Sequence, residues 1–179
     1  DLNSYCRTTD RLHRTSIALR RCVCATLAPV DGKKTFLLGM GVAKSGTTWL
    51  WQVLAQSEYF SAGATKEMHY LNRAFDPILS WRPTTVHQYA SWTDGQDSFS
   101  HRTIAELREV FARRPQSYFD YFTQLLRESA RPLVGDFTPL QSSLTRSALT
   151  SVQQAFNNRG VEVLPLLILR DPVTRLNSH

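Results

Sequence analysis

The chain has three cysteines, Cys6, Cys22 and Cys24, and all of them precede the segments with core-like apolar patterning. An odd, clustered set builds no disulfide framework. A C-x-C pair without partnering histidines or further cysteines is no metal pattern, so these read as ordinary thiols of a reducing compartment. No apolar run approaches the roughly 18 residues that cross a bilayer. No signal-peptide pattern is present, and no internal repeat or low-complexity tract breaks the sequence. Basic and aromatic residues do not interleave as they do in nucleic-acid modules, so no nucleic-acid partner is expected. The first residue is Asp1 and the last motif breaks off at His179, so the chain reads as a C-terminally truncated fragment of a longer protein, whose targeting segments can lie outside it.

What is present is globular. Hydrophobic residues make up 42%, aromatics 11% and charged residues 20% of 179 residues, enough for one domain with a real core. The formal net charge of +6 suits an anionic ligand.

Residues 1–34 form a basic N-terminal extension, in which 11–21 is compatible with a short amphipathic helix. After the turn signal "VDGKK", "TFLLGM" (35–40) reads as a buried strand, followed by a glycine-containing turn and a helix over 47–57. Residues 61–75 read as a loop and short strand that brings Lys66, Glu67 and His69 together. Residues 76–101 are an irregular excursion suited to a substrate wall. A capping box, Thr103 with Glu106, opens a helix over 103–114 that Pro115 ends. A second helix over 117–129 carries an aromatic face destined for the core. "PLVGD" (132–136) is a second short strand. A helix over 142–160 takes Ser142 or Ser143 as its cap and Gly160 as its stop. "VEVLPLLILR" (161–170) reads as a third strand, apolar enough to be central, and Pro172 then opens another helix. Trp49 and Trp51 are assigned to the core. Strands alternating with helices imply an α/β fold with a central parallel sheet over residues 35–179.

The chemistry concentrates at "GVAKSGTTWLW". Gly41 and Gly46 have the separation of a triphosphate-binding loop, G-x-x-x-x-G-K-[ST], but Thr47 occupies the lysine slot and Lys44 lies inside the loop. A turn of this kind opening onto a helix offers backbone N–H groups and the positive end of the helix dipole. Ser45, Thr47 and Thr48 add hydroxyls, and Lys44 adds a full charge. With Asp136 the nearest acidic strand end, the pattern favours one terminal phosphate at the loop and no metal.

These residues carry a resemblance. "AKSGTTWL" resembles the 5′-phosphosulfate loop of the sulfotransferases that use 3′-phosphoadenosine 5′-phosphosulfate (PAPS), usually written PKSGTTW, with Ala43 in place of the proline. "LILRDPVTRLNSH" is similar to the family's second signature, so the resemblance assigns Arg170 and Ser178 to the cofactor's 3′-phosphate. "KEMHYL" (66–71) is similar to K-E-P-H-[FY]-[FL] of the heparan-sulfate-type and bacterial members, whose glutamate is the catalytic base. That carries the role to Glu67, with Lys66 and His69 beside it and His69 the second choice as base. "VGDFTPLQ" (134–141) resembles G-E-K-[ST]-P-x-Y, but Phe137 and Gln141 stand where the family has lysine and tyrosine. The resemblance spans residues 35–179.

The resemblance implies a P-loop NTPase-like three-layer α/β/α fold and in-line sulfuryl transfer from PAPS to a hydroxyl or amine, leaving PAP. Lys44, Ser45, Gly46, Thr47 and Thr48 would hold the 5′-phosphate, and Lys66 would hold the sulfonate or tune Glu67. The acceptor can be a carbohydrate, a small alcohol, a lipid or a protein side chain. The family's domain continues for about a hundred further residues, which supply part of the adenine and 3′-phosphate site. A bacterial cytoplasm and a Golgi lumen both host such enzymes. The competing readings are a non-catalytic PAP or nucleotide-binding module, a P-loop kinase, which would need magnesium and a lysine at position 47, and a polyanion binder acting through residues 1–34.

Overall fold

The computed structural model describes residues 32–75 and 103–177. The helix expected over 11–21, the three cysteines, the excursion at 76–101 and Ser178 lie outside the described residues.

Strand β1 (Thr35–Gly39) is buried at every position, as its unbroken apolar run requires. β2 (Leu133–Asp136) and β3 (Glu162–Leu166) flank it, both parallel to it, in the order β2-β1-β3. The described residues therefore form an α/β fold with a small three-strand parallel sheet flanked by helices. Side chains alternate across the sheet, so β1 feeds two cores. Leu37 faces a cluster of Leu54, Phe60, Leu133 and Phe137, which packs helix α1 (Thr47–Ala55) onto one side. Phe36 and Leu38 face a larger cluster with Val134. Helices α3 (Ile104–Arg113), α4 (Gln116–Glu128) and α5 (Arg146–Asn157) cover that side, and α2 (Leu71–Phe75) joins its rim.

The larger core is aromatic. Phe36 stacks on Phe156 with ring centroids 4.2 Å apart and meets Phe122 edge-on at 4.8 Å. Tyr118, fully buried, is ringed by Phe36, Tyr70, Phe111, Phe119 and Phe122. The aromatic face of α4 is thus core, as its spacing implies. Gly39 ends β1 where Phe137 crosses closely: a Cβ there would lie 2.6 Å from the Phe137 ring and 2.9 Å from its Cα.

Helix α3 begins with the expected capping box, in which Thr103 Oγ1 accepts from Glu106 N and Glu106 Oε2 accepts from Thr103 N. Helix α5 starts later than expected. Residues Pro139–Ser143 form a 3₁₀ turn, and Thr145 is the cap, accepting from Ala148 N. Pro139 at the start of the tight turn and the extended Leu144 divert the chain before the α-helix can begin. Gly160, at φ 71°, supplies the expected stop.

Three expectations need correction. Residues 61–75 contain no strand; one isolated bridge, Phe60 to Leu133, touches the sheet, and Leu71–Phe75 is helical. The left-handed Gly63 (φ 65°) turns the chain away, and Tyr121 Oη accepts from Ala64 N to hold it there. Among the described residues β3 is an edge strand ending at Leu166, not a central strand running to 170. Pro165 lacks the N–H that a further ladder would need, which is the reason prolines sit at sheet edges. Leu164, Leu167 and Leu169 accordingly stand exposed. Trp49 is 46% exposed rather than core, whereas Trp51 packs against the Phe60 cluster.

Because Phe156 is fully buried and stacked on Phe36, Phe156→Ala should cost about 3–5 kcal/mol by cavity formation. Urea unfolding followed by circular dichroism measures it; a loss under 1 kcal/mol would mean that the α5 face is not part of the cooperative core.

Candidate functional site

The carboxyl ends of β1 and β2 lie side by side, with Leu38 opposite Asp136 in the register. Ligand sites of parallel sheets form at such strand ends. β1 leads into the loop 40–46, where Met40 N donates to Leu166 O and Ser45 N to Val42 O. Two loop residues are left-handed, Lys44 at φ 64° and Gly46 at φ 106°. For lysine that conformation is uncommon and costs roughly 1–3 kcal/mol. Gly46 caps α1, and no side chain serves the helix terminus. The first intrahelical bond is Leu50 N to Gly46 O, so the N–H groups ahead of it point out of the turn. Ser45 Oγ is buried and has no hydrogen-bond partner among the described residues. Thr47 is buried, while Lys44 and Thr48 are exposed.

The segment Lys66–His69 faces this loop across the strand ends. Lys66 Nζ donates to Thr48 Oγ1 at 2.8 Å and to Thr47 Oγ1 at 3.3 Å. The same ammonium pairs with Glu67 Oε1, and His69 Nε2 lies 3.0 Å from Glu67 Oε2. All three side chains are largely buried; that of Glu67 is 18% exposed. Burial pushes the Glu67 carboxyl up, but the hydrogen bonds and charges of His69 and Lys66 outweigh it, and the net shift is below the ordinary value. Glu67 is therefore an ionised acceptor at neutral pH.

This segment is clamped along its backbone. Phe137 N donates to Lys66 O at 2.8 Å. Arg108, from α3, donates Nη2 to Glu67 O at 2.7 Å and Nε to Met68 O at 2.9 Å. Met68 N donates to Asp136 Oδ1, and His69 N to Thr138 Oγ1. His69 itself is left-handed, at φ 55°. Asp136 is fully buried and also accepts from Thr138 N, Thr138 Oγ1 and Tyr118 Oη. Burial drives its carboxyl up, and the bonds from Thr138, Met68 and Tyr118 oppose that without reversing it. Its lone pairs are turned inward onto these donors, so it is a structural anchor rather than a cation ligand. Among the described residues, no group of three or more His, Cys, Asp or Glu could hold a metal.

The structure thus brings together Lys44, Ser45, Gly46, Thr47, Thr48, Lys66, Glu67 and His69, which lie 18 or more residues apart in sequence across the two segments. Arg170 joins them: its Nη1 donates to Lys44 O at 3.1 Å. Phe137 is a core residue, and Gln141 is buried with neither amide atom partnered among the described residues. Sequence reasoning passed over Asp136 as an anchor, and it passed over Thr138, Tyr118 and Arg108 altogether. The "DFT" spacing, an Asp whose carboxylate accepts from the N–H two residues on, is a legible signal for the first pair. Nothing in the sequence points to Arg108.

Comparison with protein-family profiles, with curated proteins and with solved structures finds no match. No helix of the described residues is long and apolar enough to cross a membrane.

A carboxylate with a depressed folded-state pKa stabilises the fold above its unfolded value, and that contribution is lost as pH falls through the folded value. Glu67→Gln should therefore be less stable than the wild type at pH 7. The difference should close as pH drops below about 4.5, the ordinary value. Thermal melts of both proteins from pH 7 to 3.5 measure it; a gap that widens in acid would mean that the Glu67 pKa is raised.

Proposed function

We propose that the chain is the nucleotide-binding part of a sulfotransferase that takes PAPS and releases PAP, with a P-loop NTPase-like three-layer α/β/α fold. The observation that carries this reading is the continuous array Thr47/Thr48–Lys66–Glu67–His69, which joins a phosphate-type loop directly to an ionised carboxylate.

The loop fits a single 5′-phosphate. The left-handed Lys44 and Gly46 turn backbone N–H groups toward the mouth of α1, and the uncapped helix terminus adds its dipole. The unpartnered Ser45 hydroxyl lacks an acceptor that a phosphate oxygen would supply. Lys66 argues against a magnesium triphosphate. Its ammonium holds Thr48 Oγ1, the hydroxyl at the position that carries the metal in triphosphate loops, and its charge repels a cation there. Lys44 and Lys66 instead bracket the loop with two positive charges. Arg170, held to the Lys44 carbonyl, adds a guanidinium beside the loop, in keeping with its assignment to the nucleotide; Ser178 joins it by the sequence resemblance alone.

When bound, PAPS supplies the sulfuryl group: the bond from sulfur to the bridging phosphate oxygen breaks as the bond from the acceptor oxygen forms, and the electron pair leaves on the phosphate. The protein's part is positioning and electrostatics. Lys44, Lys66 and the loop N–H groups stabilise negative charge on the phosphate side. Glu67, ionised and rigidly aimed, receives the acceptor's proton. Lys66 pairs with one of its oxygens and His69 with the other, which fixes the orientation of the carboxylate.

Calorimetric titration tests the reading. PAP should bind in EDTA, and Lys44→Ala and Arg170→Ala should each weaken it by about tenfold or more, the loss of one charge-assisted contact. Glu67→Gln should leave PAP affinity unchanged while lowering sulfuryl transfer about 10²–10⁴-fold. Preference for Mg-ATP over PAP would contradict the reading in favour of a kinase. PAP binding with turnover indifferent to Glu67→Gln would leave only a binding module.

A further inference from the structure

The hydroxyls in the first turn of α1 behave unlike those inside the other helices. In α4 and α5, Thr123, Thr150 and Ser151 donate to the carbonyl four residues back, at 2.8–3.0 Å. That is a common local bond for a hydroxyl within a helix. Thr47 and Thr48 have no helical carbonyl behind them. The residues four back, Ala43 and Lys44, precede the helix, and the Lys44 carbonyl accepts from Arg170. Both hydroxyls accept from Lys66 Nζ instead, Thr48 Oγ1 at 2.8 Å and Thr47 Oγ1 at 3.3 Å. Neither donates to an acceptor among the described residues, and Ser45 Oγ has no partner among them.

An ammonium only donates, whereas a hydroxyl donates one proton and accepts at its lone pairs. Each threonine must therefore turn its own proton away from Lys66. The remaining N–H of the ammonium is taken by Glu67 Oε1, so Lys66 has a protein acceptor for each of its hydrogens.

We propose that Lys66 is a positioning residue of the phosphate loop: it fixes Thr47 and Thr48 as hydrogen-bond donors, so that the loop offers only N–H and O–H groups and selects a fully ionised terminal phosphate. The inference rests on the reading of this loop as the 5′-phosphate site. It gives Lys66 an action through the threonines rather than a direct grip on the ligand. A donor-only cradle matches an oxyanion, whose oxygens only accept, and charge-assisted bonds of this kind are the strong ones. A ligand that brings its own proton meets the loop's protons head-on. Without Lys66 the two hydroxyls are free to turn, and ordering them becomes a cost of binding. Glu67→Gln keeps an oxygen for the ammonium, so it leaves the threonines oriented.

A double-mutant cycle on the full chain tests this, with PAP titrated calorimetrically in EDTA. Lys66→Met should weaken PAP about tenfold while both threonines are present, the loss of oriented donors to a charged group. In the Thr47→Val/Thr48→Val background the same change should cost under about threefold, the residue of its charge. Lys66→Arg, also a donor-only cation, should stay within about threefold of the wild type. An equal loss from Lys66→Met in both backgrounds would overturn the proposal, because Lys66 would then act by charge alone. Lys66→Arg as weak as Lys66→Met would overturn it too. Should Lys66→Met not fold, Thr48→Val, at an exposed position, carries the test: it should weaken PAP about fivefold, and unchanged affinity would overturn the proposal. Lys44→Ala separates the two readings. PAP binding that is weakened by Lys44→Ala but indifferent to Lys66 and the threonines removes this inference alone. A wild type that does not bind PAP removes the phosphate-site reading and this inference with it.

Discussion

The buried carboxylate of Asp136 holds the site together. It sits at the end of β2 with no exposure to solvent and accepts from two backbone N–H groups, one threonine hydroxyl and one tyrosine hydroxyl. A carboxylate in that position costs several kcal/mol to desolvate unless its oxygens are satisfied. Satisfying them forces Met68 and Thr138 to converge on the strand end and fixes Tyr118, the hub of the aromatic core, against the sheet. The packing of α4 and the placement of the Lys66–His69 segment are therefore one event. Arg108 completes it from α3 by holding the two carbonyls that Asp136 cannot serve.

With its backbone held, the segment can present opposite charges at close range without collapsing. Lys66 faces both a carboxylate and the two loop threonines, and Glu67 is shared between Lys66 and His69. Positive charge in the first turn region of α1 adds to a helix terminus that is already electropositive. The left-handed backbones of Lys44 and His69 fall on the two segments that face each other, so strain of the kind that functional loops store is placed where the ligand contacts are proposed.

Much of this was legible in the sequence, for identifiable reasons. The β1–loop–α1 unit announces itself because a fully buried strand, a glycine turn and a helix opening on two threonines leave few alternative conformations. The α3 capping box and the Gly160 stop are local devices and were read correctly. The cap of α5 was misplaced because Ser142 and Ser143 look like caps locally, while Pro139 commits the chain to a 3₁₀ turn first. β3 was misjudged because its leucines outweigh Pro165 in a hydrophobic reading, although only the proline reports on the ladder. The clamp on Lys66–His69 was invisible: Arg108 and Tyr118 reach it over 40 residues and over one packed helix, respectively, a distance that only folding closes. The grouping of Lys66, Glu67 and His69 could be seen in the sequence, but not that Lys66 would bridge to Thr48.

The central claim is that this loop and this carboxylate move a sulfuryl group without a metal. The direct measurement is to incubate the protein in EDTA with PAPS radiolabelled at sulfur and an excess of a hydroxyl acceptor, and to follow the label. The account predicts that label leaves the nucleotide faster than in buffer alone, and that Glu67→Gln abolishes the excess. Label that stays on the nucleotide at the background rate, with γ-phosphate lost from Mg-ATP instead, would contradict it.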